Sequence, residues 1–250
     1  MEKIYTRTKM LNNDVVSGFC PGCMHSTLFK LIGEVIEELQ IENKVALVLG
    51  VGCCGLAKGY VTYDNTTCGH GRACATATGV KRANPETIVF TYQGDGDLAS
   101  IGLAETMSAA NRGENITVVF VNNGIYGMTG GQMAPTTLVG MKASTAPRGR
   151  DPKEHGYPMH MCEILNQLTA PYYLERTSCN NPANVVKTKN AIKKAFQNQI
   201  DGKGFSMVEV VTSCPTNWGL DPLKSLDFLE EKMLKEFPLG VIRDKSREEN

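Results

Sequence analysis

The 250-residue chain carries no surplus of charge of either sign: 26 lysines and arginines balance 26 aspartates and glutamates. Without a basic excess there is no electrostatic footprint for nucleic acid or for an anionic membrane surface. There is also no uninterrupted apolar run of the roughly 20 residues that a membrane-crossing helix needs, and no apolar leader at the start of the chain. No internal repeat or low-complexity linker interrupts the pattern. These absences set the expectation of a cytoplasmic enzyme with no nucleic-acid or membrane partner. With 42% apolar residues, a chain of this size buries about 70% or more of its unfolded surface. One domain over 1–250 is expected, with a C-terminal helix and tail about 221–250. Lys224 to Glu249 alternates charges and reads as a solvated helix and tail.

What is present is concentrated between Val89 and Ile125. Residues 87–92, TIVFTY, and 116–121, ITVVFV, are short β-branched runs, and LASIGLAETMSAAN between them repeats apolar residues at helical spacing. The three read as one βαβ unit. A helix over 98–111 spans roughly 21 Å and a six-residue strand about 20 Å, so the crossover returns the chain to its starting edge. Gly94-Asp95-Gly96 and Asn122-Asn123 then meet at the carboxyl ends of adjacent parallel strands, where open α/β sheets bind ligands. A magnesium diphosphate suits these residues. A small hard cation takes carboxylate, amide and backbone oxygens together with phosphate oxygens, and Asp95 and Asn123 supply the first two kinds. Gly94 and Gly96 let the backbone approach phosphates closely, and the helix start near Leu98 offers free N–H groups to an anion. A tight strand-to-helix turn without a ligand is the alternative.

Further helices are expected at 25–39, 73–83, near 159–168 and at 182–198, with strands at 45–49, 172–176 and 206–211. This alternation predicts an α/β fold, a mostly parallel sheet with helices on both faces. Residues 124–158, rich in Gly, Pro, Thr and Met, form a long connection of the kind that is usually functional or covered by a partner. Its Met128, Met133, Met141 and Met159 suit an adaptable apolar surface or ordinary loop packing. Arg148 and Arg150 read as a solvated loop, with contact to an anionic substrate or coenzyme A phosphates as the alternative.

Nine cysteines are the second informative feature. In a reducing compartment, grouped cysteines point to metal binding or catalysis rather than disulfides. Cys20-Pro21-Gly22-Cys23 places two thiols around a turn ahead of the first helix. A thioredoxin-like redox pair, a structural zinc site and an iron–sulfur cluster are each compatible with that pair alone.

Gly-Asp-Gly followed 25 residues later by Asn-Asn (Asp97 to Val121 intervene) resembles the signature of thiamine diphosphate enzymes. Within them the chain is most similar to the β subunits of 2-oxoacid:ferredoxin oxidoreductases. The likeness runs from Phe19-Cys20-Pro21-Gly22-Cys23 through GHGRACATATGVKRANP, TYQGDGDLASIG and NNGIYGMTGGQMAPTT to CPTNWG, nearly the whole chain.

The resemblance implies that Asp95, Asn123 and the main-chain oxygen of Ile125 hold Mg2+. It implies that Gly94, Gly96, Asp97, Gly127 and Met128, with the Val51-Gly52-Cys53-Cys54 turn, contact thiamine diphosphate, and that His70 lies near the diphosphate. From its own spacing, His70 is equally well a turn residue between two glycines. The resemblance further implies that Cys20, Cys23, Cys53 and Cys214 hold a [4Fe–4S] cluster. The chain departs from the family at Cys54, where serine or another small residue is usual. Cys68, Cys74, Cys162 and Cys179 are left as buried structural thiols.

The implied activity is oxidative decarboxylation of a 2-oxoacid to an acyl-coenzyme A, with electrons passing to ferredoxin. The run GGQMAPTTLVG looks most like the 2-oxoisovalerate type; subunits acting on 2-oxoglutarate or pyruvate share most motifs. No carboxylate for activating the pyrimidine ring is placed in this chain, and Glu105 reads as structural. The resemblance therefore implies an α subunit that completes the site, with a ferredoxin-like subunit as a further candidate partner.

Overall fold

The computed structural model describes residues 7–247. In chain order its strands are β1 (Val45–Leu49), β2 (Asp64–Thr67), β3 (Ile88–Gly94), β4 (Thr117–Asn122), β5 (Ile125–Tyr126), β6 (Gln132–Met133), β7 (Tyr173–Ser178), β8 (Ser206–Val211) and β9 (Gly240–Asp244). The helices are α1 (His25–Glu38), α2 (Ala73–Ala83), α3 (Leu103–Asn111), α4 (Pro152–His155), α5 (Met161–Leu165), α6 (Pro182–Ile200), α7 (Pro215–Trp218), α8 (Pro222–Phe228) and α9 (Leu234–Glu236).

Seven strands form one sheet in the order β2-β1-β3-β4-β8-β7-β9, parallel throughout except that β9 runs antiparallel to β7. Side chains alternate between two apolar layers, as strand geometry demands. Phe90, Tyr92, Val119 and Val121 face α1 and α6, against Phe29, Ile32, Ile36, Ile192 and Phe196. Val89, Val118 and Phe120 face the other layer, with Ala73 and Ala77 of α2, Ala109 and Ala110 of α3, and Met161 and Leu165 of α5. Helices thus cover both faces, as expected. Among the described residues no helix is long and apolar enough to cross a membrane.

The βαβ unit places the candidate site. Gly94 pairs in register with Val121, so Asp95 and Asn122-Asn123 leave the sheet side by side. The crossover expected as one helix over 98–111 begins with a wider π turn at Gly96–Ile101 before α3 starts. The cause is steric. A Cβ at Gly102 would sit 2.5 Å from the carbonyl oxygen of Gly71, and one at Gly71 2.6 Å from the amide nitrogen of Gly102. The GHGR segment presses on the helix start, and Gly102 N bonds back to Asp97 O at 2.8 Å, the longer spacing of a π turn.

Three regions differ from expectation. Strand β2, DNTT, is a polar edge strand paired only to β1 and shows no apolar alternation to betray it. The stretch from Lys224 is not a solvated helix and tail. Leu229, Met233 and Phe237 are buried in a cluster with Met24, Leu138 and Val211, and Gly240–Asp244 closes the sheet edge as β9; positions 248–250 lie outside the described residues. Charges read along the sequence hid apolar residues spaced four apart on a single face. Arg150 is buried as well, not solvated. Nε donates to Gly156 O at 2.8 Å, Nη1 to Ala134 O, Pro135 O and Thr137 O, and Nη2 to His155 O and Tyr157 O. Six carbonyls from both ends of the long connection converge on one guanidinium and fold that connection around it. Arg148 is exposed.

Candidate functional site

Asp95 follows β3 and is 2% exposed. Its Oδ1 accepts from Gly96 N at 2.8 Å, and its Oδ2 from Ile125 N at 3.2 Å and from the Thr136 hydroxyl at 2.7 Å. All of these partners are neutral, and burial pushes the carboxyl up to about 6. Beside it Asn123 Oδ1 accepts from Ile125 N at 3.1 Å. A buried carboxylate with no cationic side chain, set against an amide oxygen and a free-standing turn, has the donor chemistry a hard divalent cation requires.

Asp97 lines the same space but its carboxylate is already engaged. Oδ1 accepts from Val51 N at 3.0 Å and Gly71 N at 2.9 Å, and Oδ2 from Gln93 Nε2 at 2.6 Å. It binds the turn after β1, the GHGR segment and the end of β3 into one wall. His70 Nδ1 lies 2.6 Å from Asp97 Oδ1, although off the direction of a well-formed hydrogen bond. Glu105 pairs with Arg72, two residues beyond His70. Gly96 is required by a close approach: the Tyr126 ring lies 2.2 Å from where a Cβ would be, and the Tyr126 hydroxyl donates to Gly96 O at 3.1 Å.

One cavity collects these residues. Val51, Gly52, Cys53, Cys54, His70, Gly94, Asp95, Gly96, Asp97, Asn123, Ile125, Gly127 and Met128 all line it, joined by His25, Tyr126 and Thr129. Sequence reasoning missed His25, Tyr126 and Thr136. His25 Nδ1 lies 2.8 Å from the Tyr92 hydroxyl, its ring stacks on Phe19, and burial pulls it down to about 4, so it is neutral. The only signal for it was its place two residues after Cys23.

A second cavity of about 390 Å³ adjoins the first and holds Cys20, Cys23, Cys53 and Cys214 together. The two share His25, Cys53, Asn123, Gly127 and Met128. Ser213 donates to Gly22 O at 2.8 Å, which fastens the Cys20–Cys23 turn to the segment carrying Cys214. Burial and then the neighbouring sulfurs raise the Cys53 thiol to about 11. Cys54 lies outside this cavity; burial and then the Asp97 charge raise its thiol. Among the described residues no three His, Cys, Asp or Glu side chains converge closely enough to hold a single ion. Four thiols from three separate segments of the chain line one chamber. Of the remaining cysteines, Cys74 and Cys162 are buried and Cys68 and Cys179 partly so; Cys74 Sγ donates to Gln93 Oε1 at 3.3 Å.

The parallel sheet with a buried carboxylate and a double asparagine at its carboxyl edge defines a thiamine diphosphate-binding domain, and residues 50–210 match the family described as thiamine pyrophosphate enzyme, C-terminal TPP binding domain. The chain belongs to the 2-oxoacid:ferredoxin oxidoreductase subunits within that class. It is 52% identical over 230 residues to the ketoisovalerate oxidoreductase subunit VorA of Methanothermobacter thermautotrophicus, covering 92% of this chain and 48% of that one. It is 37% identical over 238 residues to the 2-oxoglutarate synthase subunit KorB of Methanocaldococcus jannaschii, covering 92% and 82%. A 2-oxoglutarate:ferredoxin oxidoreductase from Magnetococcus marinus, solved with 2-oxoglutarate, coenzyme A and succinyl-CoA bound, superimposes with a TM-score of 0.77 at 27% identity over 96% of this chain and 85% of that one. The chain spans about half the length of the ketoisovalerate relatives it matches.

Proposed function

We propose that this chain is the β subunit of a cytoplasmic 2-oxoacid:ferredoxin oxidoreductase, binding Mg-thiamine diphosphate and a [4Fe–4S] cluster, with 2-oxoisovalerate as its substrate. The reaction converts a 2-oxoacid, coenzyme A and two oxidised ferredoxins to an acyl-coenzyme A, CO2, a proton and two reduced ferredoxins. The observation that carries the reading is the pair of adjoining cavities: one has a hard-cation donor set, the other has four thiols, and five residues line both.

Asp95, Asn123 and the Ile125 carbonyl would hold Mg2+. The diphosphate would lie along the Gly94 and Gly96 backbone that lines the same cavity, with His70 at its flank. When bound, thiamine diphosphate supplies the nucleophilic carbon and the electron sink for loss of CO2. Cys20, Cys23, Cys53 and Cys214 would hold the cluster, which accounts for cysteines that a non-oxidative thiamine enzyme has no use for.

Among the described residues the only carboxylates lining the cofactor cavity are Asp95 and Asp97. The first faces the cation position and the second is bonded to three segments of this chain, so we assign the carboxylate that activates the pyrimidine to an α subunit, as the family resemblance implies. The chain alone is therefore inactive. Mixing it with its α subunit and assaying 2-oxoisovalerate, 2-oxoglutarate and pyruvate with coenzyme A and ferredoxin tests the whole reading. Activity only in the complex, highest with 2-oxoisovalerate, is expected. Full oxidation by the lone chain would overturn the partner assignment, and a preference for 2-oxoglutarate would overturn the substrate.

A further inference from the structure

Asn217 had no role in the sequence analysis, yet it lines the four-thiol cavity and its amide reaches the Gly127 loop that borders both cavities. Its side-chain Nδ2 carries two protons: one is donated to Gly127 O at 2.8 Å and the other to Cys214 Sγ at 3.4 Å. The placement is built into the chain. Cys214 is the N-cap of α7 and Pro215 opens the helix, so Asn217 comes round one turn later on the side of the sulfur. The next residue fixes the helix, since the indole of Trp218 donates to Asn123 O at 3.1 Å. Gly127, the other acceptor, belongs to the loop between the cavities, and a Cβ there would lie 3.2 Å from Cys53 Sγ and 3.6 Å from Cys214 Sγ. One amide therefore spans the cysteine that closes the four-thiol chamber and the loop that lines the cofactor cavity.

We propose that Asn217 is a positioning residue that sets the reduction potential of the iron–sulfur cluster through its hydrogen bond to the Cys214 sulfur, while the same amide holds the intervening loop. The inference rests on the cluster reading above. The physical reason is charge. A cluster gains one negative charge on reduction, part of it on the cysteine sulfurs, and an N–H dipole aimed at a sulfur stabilises that form more than the oxidised one. Without the donor, the oxidised form is relatively favoured and the potential falls.

The test is a redox titration of the anaerobically purified full chain, following the signal of the reduced cluster by electron paramagnetic resonance, with iron and acid-labile sulfide counted in parallel. Asn217→Leu keeps the bulk and removes both N–H groups; Asn217→Ser shortens the side chain beyond reach of the sulfur. Each is expected to keep four irons and to shift the one-electron equilibrium about tenfold toward the oxidised form, about 59 mV. Trp218→Phe, which removes the bond to Asn123 but keeps an aromatic ring packed on Phe228 to hold the helix and its amide in place, is expected to keep the wild-type potential. Three results would overturn the inference: an unchanged potential in both Asn217 variants, loss of the cluster in both, or an equal shift in Trp218→Phe. A wild-type chain free of iron would be a different failure, because it removes the cluster reading itself.

Discussion

Thr136 donates its hydroxyl proton to Asp95 Oδ2 at 2.7 Å, with both side chains shut away from solvent. The hydroxyl aims one oxygen of the carboxylate and leaves the other side of the group to the cavity. Partners of this kind orient metal ligands, and losing one typically costs 10–100-fold in metal affinity. Thr136→Val, nearly the same shape without the donor, is expected to weaken Mg2+-dependent binding of thiamine diphosphate by about tenfold or more. Calorimetric titration at fixed cofactor and varied Mg2+ measures it, and an unchanged affinity would remove Thr136 from the site.

Adjacent cysteines have opposite surroundings. Cys53 faces the four-thiol cavity, whereas Cys54 is packed near Gly94 and Asp97 and lines only the cofactor side. Cys53→Ala is expected to abolish iron binding and Cys54→Ala to leave the iron content of the anaerobically purified chain unaltered. The reverse pattern would reassign the ligand.

The guanidinium of Arg150 has six carbonyl partners and no carboxylate among them. Arg150→Met strands those carbonyls in a buried place, and a loss of about 3 kcal/mol or more of unfolding free energy is expected. Arg150→Lys recovers only part of it, because an ammonium has three donors where the guanidinium fork has five. Denaturant midpoints at constant slope measure both; equal stability of the lysine variant and wild type would show that charge alone suffices.

Asp244 in β9 gives the stability a pH dependence of known sign. Burial works against its carboxylate, but hydrogen bonds from Lys194 and Ser246 and the charges of Lys194 and Arg247 outweigh it and hold the group below its usual range. A depressed folded value means a contribution fully present above the unfolded pKa of about 3.9, lost as the pH falls through the lower folded value. Asp244→Asn should cost on the order of 1 kcal/mol at pH 7 and almost nothing once the wild-type carboxyl is protonated. A stability gap that persists unchanged into strong acid would contradict the ion-pair account.

The central βαβ unit was legible because its strands are buried on both faces and its crossover is short, so each element carries its own periodicity. Asp95 and Asn123 could be set side by side from the sequence because two close motifs lie at the ends of neighbouring strands, whereas Val51 to Cys54, His70, Gly127 and Met128 were reached only through the family resemblance. The rest depended on contacts made far along the chain. Thr136 reaches Asp95 across 41 positions and Ser213 reaches Gly22 across 191, and no local pattern encodes either. Arg150 deceived for a related reason: in sequence it sits among glycine, proline and charges, and only the folded connection supplies the carbonyls that bury it. Strand β2 escaped because a polar edge strand owes its shape to its neighbour rather than to its own composition.

The wall shared by the two cavities has a consequence for how this chain can vary. His25, Cys53, Asn123, Gly127 and Met128 each face two compartments at once, so a replacement at any of them is judged by two chemistries. A side chain that improves one compartment is free to spread only if the other tolerates it. These five positions should therefore accept a narrower set of residues in a saturation library than Val51 or His70, which answer to one compartment alone.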